Sequence, residues 1–63
     1  MTIKDLIYSC GNVNKKTTVT IITAIGHELA SHVSVSYILN QPEILYTEVD
    51  YFRVFEHAII ILV

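Results

Sequence analysis

The chain has 63 residues, a formal net charge of −2 and 52% hydrophobic residues. That is room for one domain, residues 1–63, with one small core, and a chain this short buries only about 60% of the surface its unfolded form exposes. The acidic balance argues against a strongly basic nucleic-acid binder, the single Cys10 excludes an internal disulfide, and the longest apolar run, the six residues Ala58–Val63, falls far short of the about 20 a spanning helix needs.

The first expected element is a helix over residues 3–10. Thr2 is a good N-cap and Asp5, three residues on, stands where a capping-box acid reaches back, although Asp is shorter than the usual Glu. Ile3, Leu6, Ile7 and Cys10 form one apolar stripe at helical spacing, and Gly11 suits the left-handed position that ends a helix. Asn12 to Lys16 is then a polar connector rich in turn formers.

Residues 17–24 are almost all β-branched and predict a strand, with Val19, Ile21 and Thr23 on one face and Thr18, Thr20 and Ile22 on the other. Gly26 is the natural turn point, and residues 28–33 return as a second strand of a hairpin. Ser34 then caps a short helix over residues 34–40, with Val35, Ile38 and Leu39 at helical spacing. Pro42 forces a break at Gln41 and can itself start one more turn through Tyr46.

Residues 48–55 predict a third strand, with Phe52 and Val54 on one face and Tyr51, Arg53 and Phe55 on the other. Glu56 and His57 form its turn. Ala58–Val63 is a strand apolar on both faces, a pattern normally found at the centre of a sheet with cover above and below. The sum is an α+β fold: a small, mainly antiparallel four-stranded sheet in the order 2-1-4-3, with the N-terminal helix and the short broken helix packed on one face.

The layout resembles that of short proteins encoded by phages and prophages of Gram-positive bacteria. The shared features are an opening helix like Thr2–Cys10, a hairpin, a Ser-capped helix like Ser34–Asn40, and a Val-x-x-Phe-x-Val stretch carried here by Val49, Phe52 and Val54 before an apolar strand. The resemblance implies an accessory product and brings no functional residues with it.

No catalytic, cofactor or metal site is expected. His27 and His32 lie on the hairpin at an odd separation, which puts them on opposite faces of a regular strand, and His57 is remote. Cys10 lies on the apolar stripe of the helix, where a small buried thiol is ordinary; a nucleophile pair with one of the histidines would lack a Gly-rich oxyanion loop and a family signature. Glu48 and Asp50 stand two apart on one strand face, and solvation or protection of an edge explains them better than paired acid–base chemistry.

Two further classes of function stand against an enzyme. A chain of this size often needs a disulfide, a metal or a second subunit, and only the last remains. The expectation is a non-enzymatic, cytoplasmic interaction module that forms a homodimer or higher oligomer through Tyr51, Phe52, Phe55, Ile59, Ile61 and Val63, with room for an unidentified protein partner and no membrane segment or secretory signal. The alternative is a nucleic-acid accessory factor, which requires Lys4, Lys15, Lys16 and Arg53 to gather on one surface. The charge balance favours the first: residues through His27 carry a net +2 (Lys4, Asp5, Lys15, Lys16), and those after it a net −4 (Glu28, Glu43, Glu48, Asp50, Arg53, Glu56).

Overall fold

A computed structural model describes residues 1–10 and 16–63. The chain begins with α1 (Ile3–Ser9), whose start is fixed by a complete capping box. The Asp5 N–H donates to Thr2 Oγ1 at 3.2 Å, and the Thr2 N–H donates to Asp5 Oδ2 at 3.1 Å, so the shorter acid reaches after all. Gly11 and most of the expected connector lie outside the described residues.

β1 (Thr18–Ile22) and β2 (Glu28–Ser34) form the first hairpin. Its loop closes by Thr23 N–H donating to the His27 carbonyl at 2.8 Å and Gly26 N–H donating to the Thr23 carbonyl at 2.9 Å. Gly26 has φ +85°, the left-handed conformation this tight reversal demands. β2 is not regular. Its register against β1 slips between Val19 and Ile21 and again between Ile21 and Ile22, and His32 takes φ +50° at the first slip.

The middle of the chain is broken as expected. α2 (Val35–Leu39) is capped by Ser34, whose Oγ accepts the Tyr37 N–H at 3.1 Å, and α3 (Pro42–Leu45) starts on proline after the break at Gln41. β3 (Tyr51–Val54) and β4 (Ala58–Leu62) form the second hairpin. The third strand is shorter than the predicted 48–55 because the chain just before it pairs with the N-terminus instead. Ile3 N–H donates to the Thr47 carbonyl at 3.0 Å, Val49 N–H donates to the Met1 carbonyl at 2.8 Å, and Thr2 bridges Glu48.

The four strands lie in the order β2-β1-β4-β3, the order expected, with antiparallel pairs at both sides and one parallel pair, β1 with β4, at the centre. Val19 and Ile21 of β1 align with Ile59 and Ile61 of β4. These four form one core with Ile3, Leu6 and Ile7 of α1 and Val35 and Ile38 of α2, so the described helices cover a single face of the sheet. Burial of such side chains at roughly 1.5–3 kcal/mol each supplies the main drive to fold, against a conformational-entropy cost of similar size.

One expectation fails here. β4 is central, with partners on both sides, but it is covered on one face only. Ile59 is 1% and Ile61 0% exposed, whereas Ile60 between them is 37% exposed. The physical reason is supply: α1, α2 and α3 are short and all lie on the same side.

Candidate functional site

The surface that stands out is the open face of the sheet, and the register across the strands defines it. Phe55 N–H donates to the Ala58 carbonyl at 2.7 Å, which closes the second hairpin on Glu56 and His57. From there Arg53 aligns with Ile60 and Tyr51 with Leu62, while Ile60 and Leu62 align with Thr20 and Ile22 of β1. Partners in register share a face. The open face therefore carries Tyr51, Arg53, Phe55, Ile60, Leu62 and Ile22, with Thr18 and Thr20 toward β2.

Arg53 brings a cation to this surface. Its Nε donates to Tyr51 Oη at 3.1 Å, two residues away on the same side of the strand. The apolar character continues around the edge of the sheet, because the helical layer stops short of β3. Phe52 and Val54 point to the helix side and are still 39% and 48% exposed. All residues of β3 are thus accessible, on both faces of one strand.

The residues expected to form an interface divide between two environments. Tyr51, Phe52 and Phe55 are exposed and lie at β3 or just beyond it. Ile59 and Ile61 are core residues of the protomer and have no surface to offer, which corrects their assignment to an interface. Val63 is half-buried and packs against the same core. Ile60 and Leu62, which the expected set left out, lie on the open face. Their signal was present in the two-residue turn: pairing Phe55 with Ala58 puts Tyr51 and Phe55 on the side of Ile60 and Leu62, not that of Ile59 and Ile61.

Lys4 and Arg53 are not brought together. Lys4 lies on α1, on the helix side of the sheet, with its Nζ 5.5 Å from the centre of the Tyr46 ring. Arg53 lies on the open face opposite. Lys16 is exposed before β1, and Lys15 lies outside the described residues.

The histidines and acids are similarly scattered. His27 sits at the base of the first hairpin, where its N–H donates to Thr23 Oγ1 at 3.1 Å, and the His32 N–H donates to Thr20 Oγ1 at 3.1 Å. The bulges in β2 remove the regular alternation on which the opposite-face argument for this pair relied. His57 Nε2 is 3.7 Å from a Glu56 oxygen in the exposed turn. Among the described residues no three His, Cys, Asp or Glu side chains stand close enough to hold a metal ion.

Cys10 caps α1 and packs half-buried against the core. Glu48 is engaged with the Met1 ammonium at 3.1 Å, outside the strand that was to have held it beside Asp50. The hydrogen bond from the Thr2 N–H holds the Asp5 carboxyl below its usual value, an effect of the cap.

No helix among the described residues is long and apolar enough to cross a membrane. No family model, curated protein or solved structure matches the chain.

Proposed function

We propose that the chain is a non-enzymatic interaction module of the cytoplasm that works as a homo-oligomer, with a dimer as its basic unit. The observation that carries this reading is the edge strand. Every residue of β3 is exposed, Tyr51 on the open face and Phe52 and Val54 on the other, with Phe55 exposed just beyond the strand. An exposed apolar surface of this kind on so small a domain marks a place of contact. The layout shared with small phage and prophage products fits an accessory role of this sort.

A nucleic-acid reading is weaker. Lys4 and Arg53 stand on opposite sides of the sheet, which divides the positive charge a phosphate backbone would need in one place. The test of the preferred reading is sedimentation equilibrium at micromolar concentration. A dimer that dissociates on dilution is the expected result. A monomer throughout, with a cooperative thermal transition independent of concentration, would overturn it.

A further inference from the structure

We infer that the joint between two copies is the β3 edge, paired antiparallel about a two-fold axis at Phe52, so that two four-stranded sheets become one continuous sheet. This inference rests on the reading of the chain as a homo-oligomer and specifies where the copies meet.

The hydrogen-bond directions at the edge are fixed by its inner side. Phe55 N–H donates to the Ala58 carbonyl, and in an antiparallel pair the residues that exchange such bonds alternate. Arg53 therefore turns its main-chain groups toward Ile60, while Phe52 and Val54 turn theirs outward. The other side of β4 agrees: the Val63 N–H donates to the Ile22 carbonyl and the His57 carbonyl accepts from Thr18, so odd residues of β4 bond to β1 and even ones to β3. The outward N–H and C=O groups of Phe52 and Val54 are a template for one kind of ligand, an extended strand.

The two edges of the sheet differ in how they meet this hazard. β2 is blunted by two register slips, and His32 is forced to positive φ at one of them. Bulges of this kind twist an edge away from pairing. β3 pairs with β4 in unbroken register from Tyr51 to Val54 and is exposed on both faces, Phe52 and Val54 on one and Tyr51 and Arg53 on the other. Pairing β3 with β2 of another copy would meet the bulges and would also leave a chain of copies open-ended. Pairing β3 with β3 is self-complementary and closes as a dimer.

Charge selects the register. Centring the axis on Arg53 would set the two arginines directly opposite each other in a close, non-hydrogen-bonded pair, which is repulsive. Centring it on Val54 would draw Glu56 and His57, already in the turn, against Phe52 and Tyr51. Centring it on Phe52 uses only residues 50–54 of each copy. Phe52 exchanges both main-chain bonds with Phe52 of the second copy, and each Val54 N–H donates to the other's Asp50 carbonyl. Arg53 then faces Tyr51 of the second copy, extending the Arg53–Tyr51 hydrogen bond already present within each protomer into a ladder of alternating cation and ring.

The experiment combines sedimentation equilibrium with amide hydrogen exchange on the intact chain. In the dimer the Phe52 and Val54 amides should exchange slowly, and on dilution they should become fast while that of Arg53 stays protected by β4. Val54→Pro removes an outward N–H that serves nothing inside the protomer, and should weaken the dimer by about tenfold or more, the order expected for two lost hydrogen bonds. Arg53→Gln should also weaken it, whereas in a register that opposed the arginines it would strengthen it. Ile60→Thr should leave dimerisation within about twofold, as expected of a residue away from the joint.

A wild-type chain that is monomeric overturns the homo-oligomer reading and this inference with it. A wild-type dimer that loses its affinity through Ile60→Thr and keeps it in Val54→Pro overturns the edge alone, and points to stacking of the open faces. Should Val54→Pro fail to fold, the exchange rates of the wild type decide: fast Phe52 and Val54 amides in a dimer overturn the proposal.

Discussion

Ile60 and Ile61 are neighbours in β4 and differ in nothing but parity, yet Ile61 is wholly buried beneath α1 and α2 and Ile60 stands on the open face. Substitution should separate the two roles. Ile61→Ala removes buried methyl groups and leaves a cavity, at a cost of about 2–5 kcal/mol. A domain of this size has only about 3–5 kcal/mol to lose, so the variant should lose most of its stability. Ile60→Thr keeps a β-branched side chain on an accessible face and should change the stability of the protomer by about 0.5 kcal/mol or less. Urea unfolding at concentrations low enough to keep the chain monomeric checks both. Equal losses would mean that the second face is covered in solution.

The capping box makes stability depend on pH in a defined direction. The Asp5 carboxyl accepts the Thr2 N–H, and its folded value is lowered from the ordinary 3.8 chiefly by that bond. A lowered value means that the ionised form is favoured by folding. Its contribution is therefore fully present above about pH 4 and is lost as pH falls through the folded value. The melting temperature of the wild type should fall more steeply below pH 4 than that of Asp5→Asn, which keeps an acceptor oxygen without a titrating group. Parallel melting curves for the two chains would show that the cap does not form in solution.

Gly26 separates space from backbone conformation. Nothing lies within 4 Å of where a Cβ would stand, so Gly26→Ala meets no neighbour, and its whole cost is the φ of +85°. That cost is about 1–2 kcal/mol for an ordinary L residue, and smaller for Asn, which tolerates left-handed geometry better. Thermal unfolding should rank the chains glycine above Gly26→Asn above Gly26→Ala. The adjacent Ile25 is 91% exposed at the hairpin tip, and Ile25→Thr should leave stability unchanged within about 0.5 kcal/mol.

Much of this architecture is written in local chemistry. The cap at Thr2 and Asp5, the turn at Gly26, the Ser34 cap and the break before Pro42 each follow from what one or two residues can do with their nearest main-chain groups, and each is found where those residues stand. The strand order followed from the doubly apolar character of Ala58–Val63, which belongs in the middle of a sheet. What was not legible depends on partners distant in sequence. Glu48 and Val49 look like a strand start, but the N-terminus takes their pairing. A strand apolar on both faces carries no parity of its own, so the choice between Ile59–Ile61 and Ile60–Leu62 for the exposed row had to come from the turn and from where the helices sit. The bulges of β2 have no Gly or Pro to announce them.

His32 marks the first of those bulges and permits a test against the usual rule for strands. It is a non-glycine residue at φ +50°, a conformation in which its Cβ crowds the backbone, and its N–H is diverted to Thr20 Oγ1. Glycine in the interior of a strand normally destabilises by about 0.5–1 kcal/mol. At position 32 the relief of a strain of about 1–2 kcal/mol opposes that entropic loss. His32→Gly should therefore be neutral or stabilising by up to about 1.5 kcal/mol, the net of these two effects. Val33→Gly, one residue along in the same strand and half-buried against the core, should be clearly destabilising. Urea titrations of the two variants give the comparison directly. If His32→Gly costs as much as Val33→Gly, residue 32 is not left-handed in solution, β2 runs straight, and the sheet has two regular edges rather than one.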